Sequence, residues 1–73
     1  MAYQYVKVVD DETQRVLLVG RFQNGLPEIF KDGEWKPEGY MYSWQRDGLL
    51  DNVTEAEAMK LIKEQKTQQL QVA

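Results

Sequence analysis

The sequence predicts an α+β fold: a three- to four-stranded antiparallel β-meander with a short helix and a capped C-terminal helix packed on one face. Three observations predict it. β-branched and aromatic residues fill the first half of the 73-residue chain, and Asn-Gly and Asp-Gly pairs divide that half into short segments. A helix-capping pattern then opens an amphipathic segment near residue 54. We expect residues 1–66 to form a single domain and 67–73 a frayed tail.

The first hairpin is predicted from two β-rich segments and the turn-forming residues between them. Residues 2–9 and 15–22 have the composition of strands, and "DDETQ" at 10–14 interrupts them. Asp10 or Asp11 is expected to accept a hydrogen bond from the backbone two residues further on.

Two further turns are predicted from Asn-Gly at 24–25 and Asp-Gly at 32–33. Both pairs favour type I′ turns, because the two central residues of such a turn need positive φ. Residues 26–31 form the third predicted strand and 34–36 a short fourth one. Pro27 lacks an N–H, so we expect it at the start of its strand or on an edge.

The C-terminal helix is predicted from a capping box. Thr54 is the expected N-cap with Glu57 three residues on, and Val53 and Ala58 occupy the two positions of a hydrophobic staple. The stripe that should face the sheet consists of Ala58, Leu61, Ile62 and Gln65, with Met59 on its flank.

Residues 37–47 fit two interpretations. In a helix, Pro37 takes the first position and Gly48 the position after the end. The core stripe would then be Pro37, Tyr40, Met41 and Trp44, with Tyr42 and Arg46 together on the opposite side. In a strand, Tyr40, Tyr42, Trp44 and Arg46 would share one face. The helix explains more residues, although Gly39 counts against it.

Composition excludes several kinds of chemistry. The chain has no cysteine and no histidine, which rules out disulfides, thiolate or imidazole metal sites and His-dependent triads. We therefore expect that the protein is not an enzyme and binds no metal or cofactor. The absence of cysteine also favours a reducing, cytoplasmic location. The net charge of −3 has the wrong sign for general nucleic-acid binding. No apolar run approaches the length of a membrane span.

The candidate binding residues are aromatic side chains and arginines: Trp35, Tyr42, Trp44, Arg46 and Arg21. Trp, Tyr and Arg are the residues that most often anchor protein interfaces. The same set could stack a nucleobase, with an arginine on its phosphate. The alternative without a functional role is that both tryptophans belong to the core and Tyr42 is merely exposed.

Several segments resemble a group of small uncharacterised proteins of Gram-positive bacteria and their phages or prophages. These segments are "VDDETQRVLLVG", "NGLPEIFKDGEW" and "DGLLDNVTEAEAMKLI", within residues 3–63. In place of the glycine frequent in the first hairpin of that group, this chain has Gln14. The resemblance implies a short accessory protein and no assigned activity.

Together these observations predict a non-enzymatic protein that acts by protein–protein contact, as a phage or mobile-element inhibitor of a host defence protein. The partner could also be a second copy of the chain, because so small a core gains from self-association. The alternative prediction is a protein that sequesters a nucleotide or another small molecule in an oligomer interface.

Overall fold

The computed structural model describes residues 3–72, and it describes side chains for residues 3–64. The fold class is confirmed as α+β, with five antiparallel strands, one short helix and one C-terminal helix. The elements in chain order are β1 (Gln4–Val9), β2 (Val16–Gln23), β3 (Leu26–Lys31), β4 (Glu34–Pro37), α1 (Met41–Arg46), β5 (Leu50–Val53) and α2 (Glu55–Val72).

The sheet has the strand order β4-β3-β2-β1-β5. Its first four strands are the predicted meander, and β5 is a fifth strand that the sequence did not predict. β5 pairs antiparallel with β1, and Gln4 Nε2 donates a hydrogen bond to Asn52 Oδ1 at 3.0 Å. Only four residues long, β5 contains Asp51 and Asn52, types that are depleted in strands. The pairing with β1, distant in sequence, therefore makes this segment a strand.

The two short turns have the predicted type. Asn24 and Asp32 have φ values of 53° and 55°, and the glycines that follow, Gly25 and Gly33, have 80° and 83°. Positive φ at both central residues is the mark of a type I′ turn. A two-residue type I′ turn fixes the register of the strands that it joins. Gln23 therefore lies opposite Leu26 across the Asn24–Gly25 turn.

The β1–β2 turn is organised by the carboxylate of Asp10. Its Oδ1 accepts hydrogen bonds from the backbone N–H of Glu12 at 2.8 Å and of Thr13 at 3.1 Å. The predicted bond two residues on is thus confirmed for Asp10. Gln14 has a φ of 60°, which explains why glycine would suit this position.

The helical interpretation of residues 37–47 is confirmed, but its start is wrong. Pro37 is the last residue of β4 and pairs with Glu28. The helix begins only at Met41, with Tyr40 as N-cap. Pro37 fits the end of β4 because that strand is at the edge of the sheet, where a missing N–H costs no ladder hydrogen bond.

The predicted end of α1 at Gly48 is confirmed. Gly48 has a φ of 74°, and its N–H donates to the Gln45 carbonyl at 3.2 Å. The N–H of Leu49 donates to the Trp44 carbonyl at 2.9 Å. This pair of bonds is a Schellman motif, which needs a left-handed residue that glycine adopts without steric cost.

The two helices pack on opposite faces of the sheet. Tyr5 and Val6 are neighbours in β1, so their side chains point to opposite faces. The α2 face carries a buried cluster of Tyr5, Val19, Ala58 and Ile62, and the α1 face one of Val6, Phe22 and Met41. The sequence predicted one covered face. The second face is covered because α1 lies between the two edge strands β4 and β5, so the connection must cross the sheet.

The predicted core stripe of α1 is correct for Met41, correct in part for Trp44, and wrong for the other two residues. Met41 is fully buried and Trp44 is partly buried, whereas Tyr40 is 71% exposed and Pro37 is exposed. A six-residue helix can present only about one turn to the sheet. Met41 fills that contact because it lies over Gly20, where an ideal Cβ would approach Met41 Cε to 2.6 Å.

The N-cap of α2 is confirmed. Thr54 Oγ1 accepts a hydrogen bond from the Glu57 N–H at 3.1 Å, and the Thr54 carbonyl accepts one from Ala58 at 2.9 Å. Within the predicted stripe, Ala58 and Ile62 are buried and Leu61 is partly buried, while the Gln65 side chain lies outside the described residues. The side chains of the predicted frayed tail, residues 67–73, also lie outside the described residues. The fraying of this tail stays a prediction.

Candidate binding surface

The structure divides the five predicted site residues between the two faces of the sheet. Arg21 pairs with Tyr5 across the β1–β2 ladder, and Trp35 packs against the cluster of the α2 face. Tyr42, Trp44 and Arg46 belong to α1 on the other face. The five residues therefore do not form a single site.

Arg21 and Trp35 contact each other within the protein, in a cation–π interaction. The guanidinium carbon of Arg21 lies 4.0 Å from the ring centroid of Tyr3 and 4.1 Å from that of Trp35. Its Nε donates to Glu28 Oε1 at 2.8 Å, and only 16% of the side chain is exposed. The ring centroids of Trp35 and Phe30 lie 5.4 Å apart, with the ring planes at 75° to each other. Each cation–π contact contributes about 0.5–2 kcal/mol, so this group stabilises the sheet.

Trp44 and Arg46, two of the predicted binding residues, differ in their burial. Trp44 is partly buried against the Val6, Phe22 and Met41 cluster. Arg46 is exposed, and its Nη2 donates to Ser43 Oγ at 3.3 Å, one turn back in the same helix. Trp44 thus helps the fold, and Arg46 remains available at the surface.

Tyr42 connects α1 to the β2–β3 turn. Its hydroxyl donates to the Gly25 carbonyl at 2.6 Å, and its ring centroid lies 6.4 Å from that of Phe22. The residue as a whole is still 51% exposed. The sequence placed Tyr42 on the side turned away from the core. The structure instead holds the ring against the end of the sheet, which fixes the orientation of its exposed part.

Two clefts share Tyr42 as a common wall. The larger has a volume of about 410 Å³ and is lined by residues that include Leu26, Pro27, Glu28, Pro37, Glu38 and Gly39. The smaller measures about 280 Å³ and is lined by Gln4, Phe22, Asn24, Gly25 and Gln45. Both are created where the Asn24–Gly25 turn approaches α1.

Large exposed apolar side chains gather beside the larger cleft. Leu26 is 67% exposed and lines it together with Tyr42, while Tyr40 follows the lining residue Gly39. A single exposed apolar residue is ordinary, but several around one cleft indicate an interaction site. We call the lining residues Leu26, Glu38 and Tyr42, with the adjacent Tyr40 and the cleft itself, the Tyr42 surface.

Tyr42 was predicted from the sequence as a binding residue, whereas the other members of the Tyr42 surface were not. Leu26 had a usable signal, because the type I′ turn places it opposite Gln23 in the first residue pair after the turn. Such a pair lies at the end of a hairpin, where a leucine is not fully covered. Glu38 had no comparable signal, since its place depends on how β4 leads into α1.

The electrostatics of the larger cleft are acidic. Both charged residues that line it in the described part of the chain are glutamates, Glu28 and Glu38. Glu28 is paired with Arg21, and Glu38 Oε2 accepts a hydrogen bond from the Tyr40 N–H at 3.2 Å. Because Glu28 is neutralised by Arg21, Glu38 gives the cleft its preference for a cationic neighbour over an anionic one.

The acidic run at 10–12 has a structural role in its turn. Hydrogen bonds from the backbone N–H of Thr13, and next of Glu12, lower the pKa of Asp10 below its ordinary value of 3.8. Among the residues that the structure describes, no three acidic side chains are grouped so as to hold a metal ion. No helix in the described part is long and apolar enough to cross a membrane.

The fold and the site define a small α+β protein whose five-stranded sheet lies between two helices, with two clefts on either side of Tyr42. Comparisons with protein-family models, curated proteins and solved structures find no match to this chain. The resemblance to small phage-associated proteins therefore stays a prediction.

Proposed function

We propose that this chain is a non-enzymatic binding protein that acts by protein–protein contact through the Tyr42 surface. The observation that carries the proposal is the half-exposed Tyr42 ring, held by its 2.6 Å hydrogen bond to Gly25 between two clefts. An aromatic side chain that is already ordered loses little entropy on binding, which is how interface anchors gain affinity. Leu26 and Tyr40 add exposed apolar area around it.

The geometry supports a protein partner better than a sequestered nucleotide. The Trp35 ring, which could have stacked a base, is stacked on Arg21 instead. Arg46 lies on the other face of the sheet from Arg21, so the two cations do not converge on one phosphate. Glu38 lines the larger cleft, and its carboxylate repels phosphate groups.

We propose further that the partner is a host defence protein. A phage or mobile-element inhibitor of a host defence protein is supported by the resemblance of the turn and cap segments. A cytoplasmic location is supported by the cysteine-free composition. Location of the gene in a phage early-gene cluster would support the inhibitor, and location in a metabolic operon would contradict it.

The test uses two matched leucine substitutions. Leu26 is 67% exposed at the Tyr42 surface, and Leu17 is 59% exposed near the opposite end of β2. Leu26→Asp and Leu17→Asp therefore introduce the same charge at similarly exposed strand positions. Thermal melts and circular dichroism establish that both variants fold.

Each variant is then used to capture proteins from a lysate of the organism that carries the gene, and a captured protein is purified and titrated directly. Wild type and Leu17→Asp should bind it equally, and Leu26→Asp should weaken binding at least about tenfold, as expected for an interface anchor. Equal binding by all three proteins, or equal loss in both variants, would show that the Tyr42 surface is not the interface.

A further inference from the structure

The larger cleft has walls suited to a ring or a branched apolar side chain. Tyr42, Leu26 and two prolines, Pro27 and Pro37, are among the residues that line it. At Gly39 an added Cβ would meet no atom within 4 Å, so that part of the lining is open. The volume of about 410 Å³ lies in the lower part of the range of small ligand sites, about 300–1,000 Å³.

The walls supply few backbone hydrogen bonds. Pro27 and Pro37 have no N–H, and the Pro27 carbonyl already accepts a bond from the Glu38 N–H at 3.2 Å. A ligand that adds a β-strand depends on backbone donors and acceptors along an edge. A polyproline II segment does not, because its backbone is fully solvated and its side chains make the contacts.

The charge of the lining selects for a basic residue beside the apolar group. Arg21 balances Glu28, while Glu38 uses one oxygen for the Tyr40 N–H. In the described part of the chain no hydrogen bond or ion pair engages Glu38 Oε1. This carboxylate can therefore take up a guanidinium or ammonium group from a ligand.

Building on the proposed function, we infer that the larger cleft binds an extended, proline-containing segment of the partner protein that carries a lysine or arginine. Its proline or leucine side chains would pack between Tyr42, Leu26 and the two prolines of the lining. The basic residue would pair with Glu38. Prolines of the segment limit its freedom before binding, which lowers the entropic cost of ordering it.

The test is a titration of the ¹⁵N-labelled full chain, followed by amide chemical shifts, with two end-blocked peptides, Pro-Pro-Leu-Pro-Pro-Arg and Pro-Pro-Leu-Pro-Pro-Glu. The arginine peptide should shift the amides of Leu26, Glu38 and Gly39 with a dissociation constant of about 1 mM or tighter. The glutamate peptide should bind at least about fivefold more weakly, because it meets a carboxylate. Absence of shifts, equal binding of both peptides, or shifts confined to the Trp35 face would overturn the inference.

Variants locate the two contacts. Glu38→Gln should remove the preference for arginine, while Glu12→Gln, which neutralises a carboxylate of the distant β1–β2 turn, should keep it. Gly39→Leu should block both peptides without unfolding the chain, because nothing crowds this position and its φ is one that other residues adopt. A preference for arginine that survives Glu38→Gln, or peptide binding that survives Gly39→Leu, would overturn the assignment.

The result also separates this inference from the proposed function. If Leu26→Asp loses the captured protein while neither peptide shifts the cleft amides, the peptide inference fails and the protein-binding surface stands. If the same amides shift on dilution of the chain without peptide, the cleft is a contact between two copies, and the inference is overturned.

Discussion

Met41 of α1 lies over Gly20 of β2, and substitution of the glycine tests how α1 is placed. An ideal Cβ on Gly20 would lie 2.6 Å from Met41 Cε, 3.1 Å from Met41 Sδ and 3.1 Å from the Glu28 carbonyl oxygen. Met41 is fully buried, so its side chain has little room to retreat. Gly20→Ala should therefore overpack the α1 face.

The magnitude follows from two opposed terms. Overpacking a filled core costs about 1–3 kcal/mol. Replacing glycine by alanine lowers the entropy of the unfolded chain, which returns about 0.4–1 kcal/mol. The expected net loss is about 1–2 kcal/mol, a large share of the stability of a chain this small, which is on the order of 5 kcal/mol.

A double-mutant cycle with Met41→Ala identifies the cause. Met41→Ala alone should cost about 2–5 kcal/mol, because it leaves a cavity. In that background Gly20→Ala should cost little or stabilise, since its methyl group enters the vacated space, and the coupling energy should be about 1 kcal/mol or more. Urea unfolding followed by tryptophan fluorescence gives the four free energies. A neutral Gly20→Ala, or strict additivity, would refute the packing of Met41 on Gly20.

Three further predictions concern single contacts. Thr54→Ala should lower stability by about 1 kcal/mol through loss of the N-cap bond to Glu57, and an unchanged thermal melt would mean that α2 starts elsewhere. Tyr42→Phe should cost about 0.5–1.5 kcal/mol in urea unfolding, because it removes the hydroxyl that reaches Gly25; no loss would mean that this bond is not formed in solution. The Asp10 carboxyl should titrate below 3.8 by NMR. Because its folded pKa is depressed, its stabilisation is present above the unfolded value and is lost as pH falls through the folded value; a normal titration would contradict the turn geometry.

Local chemistry was the predictable part of the fold. Asn24 and Asp32 were predicted at positive φ because few residues other than Gly, Asn and Asp adopt it readily. Thr54 was predicted as an N-cap from the spacing to Glu57. Each of these signals lies within about four residues, where short-range sterics and hydrogen bonds decide the structure.

The missed features depend on contacts between distant parts of the chain. β5 forms because Leu50–Val53 pairs with β1, which lies more than forty residues earlier in the chain. The Gln4–Asn52 hydrogen bond links residues 48 positions apart. Pro37 carries the signal of a helix start, but an edge strand tolerates the same residue at its end. The clefts beside Tyr42 arise from a contact between residues 17 positions apart, which no local pattern specifies.

Photo-crosslinking from the Tyr42 surface tests most directly whether the protein acts by protein–protein contact there. A benzophenone side chain is placed at position 40, where Tyr40 is 71% exposed, and in a second protein at position 17, where Leu17 is 59% exposed. On irradiation in the cells that carry the gene, position 40 should give a discrete adduct with another protein, and the adduct should disappear with Leu26→Asp. Position 17 should give none. No adduct from position 40, or the same adducts from both positions, would contradict a partner surface around Tyr42.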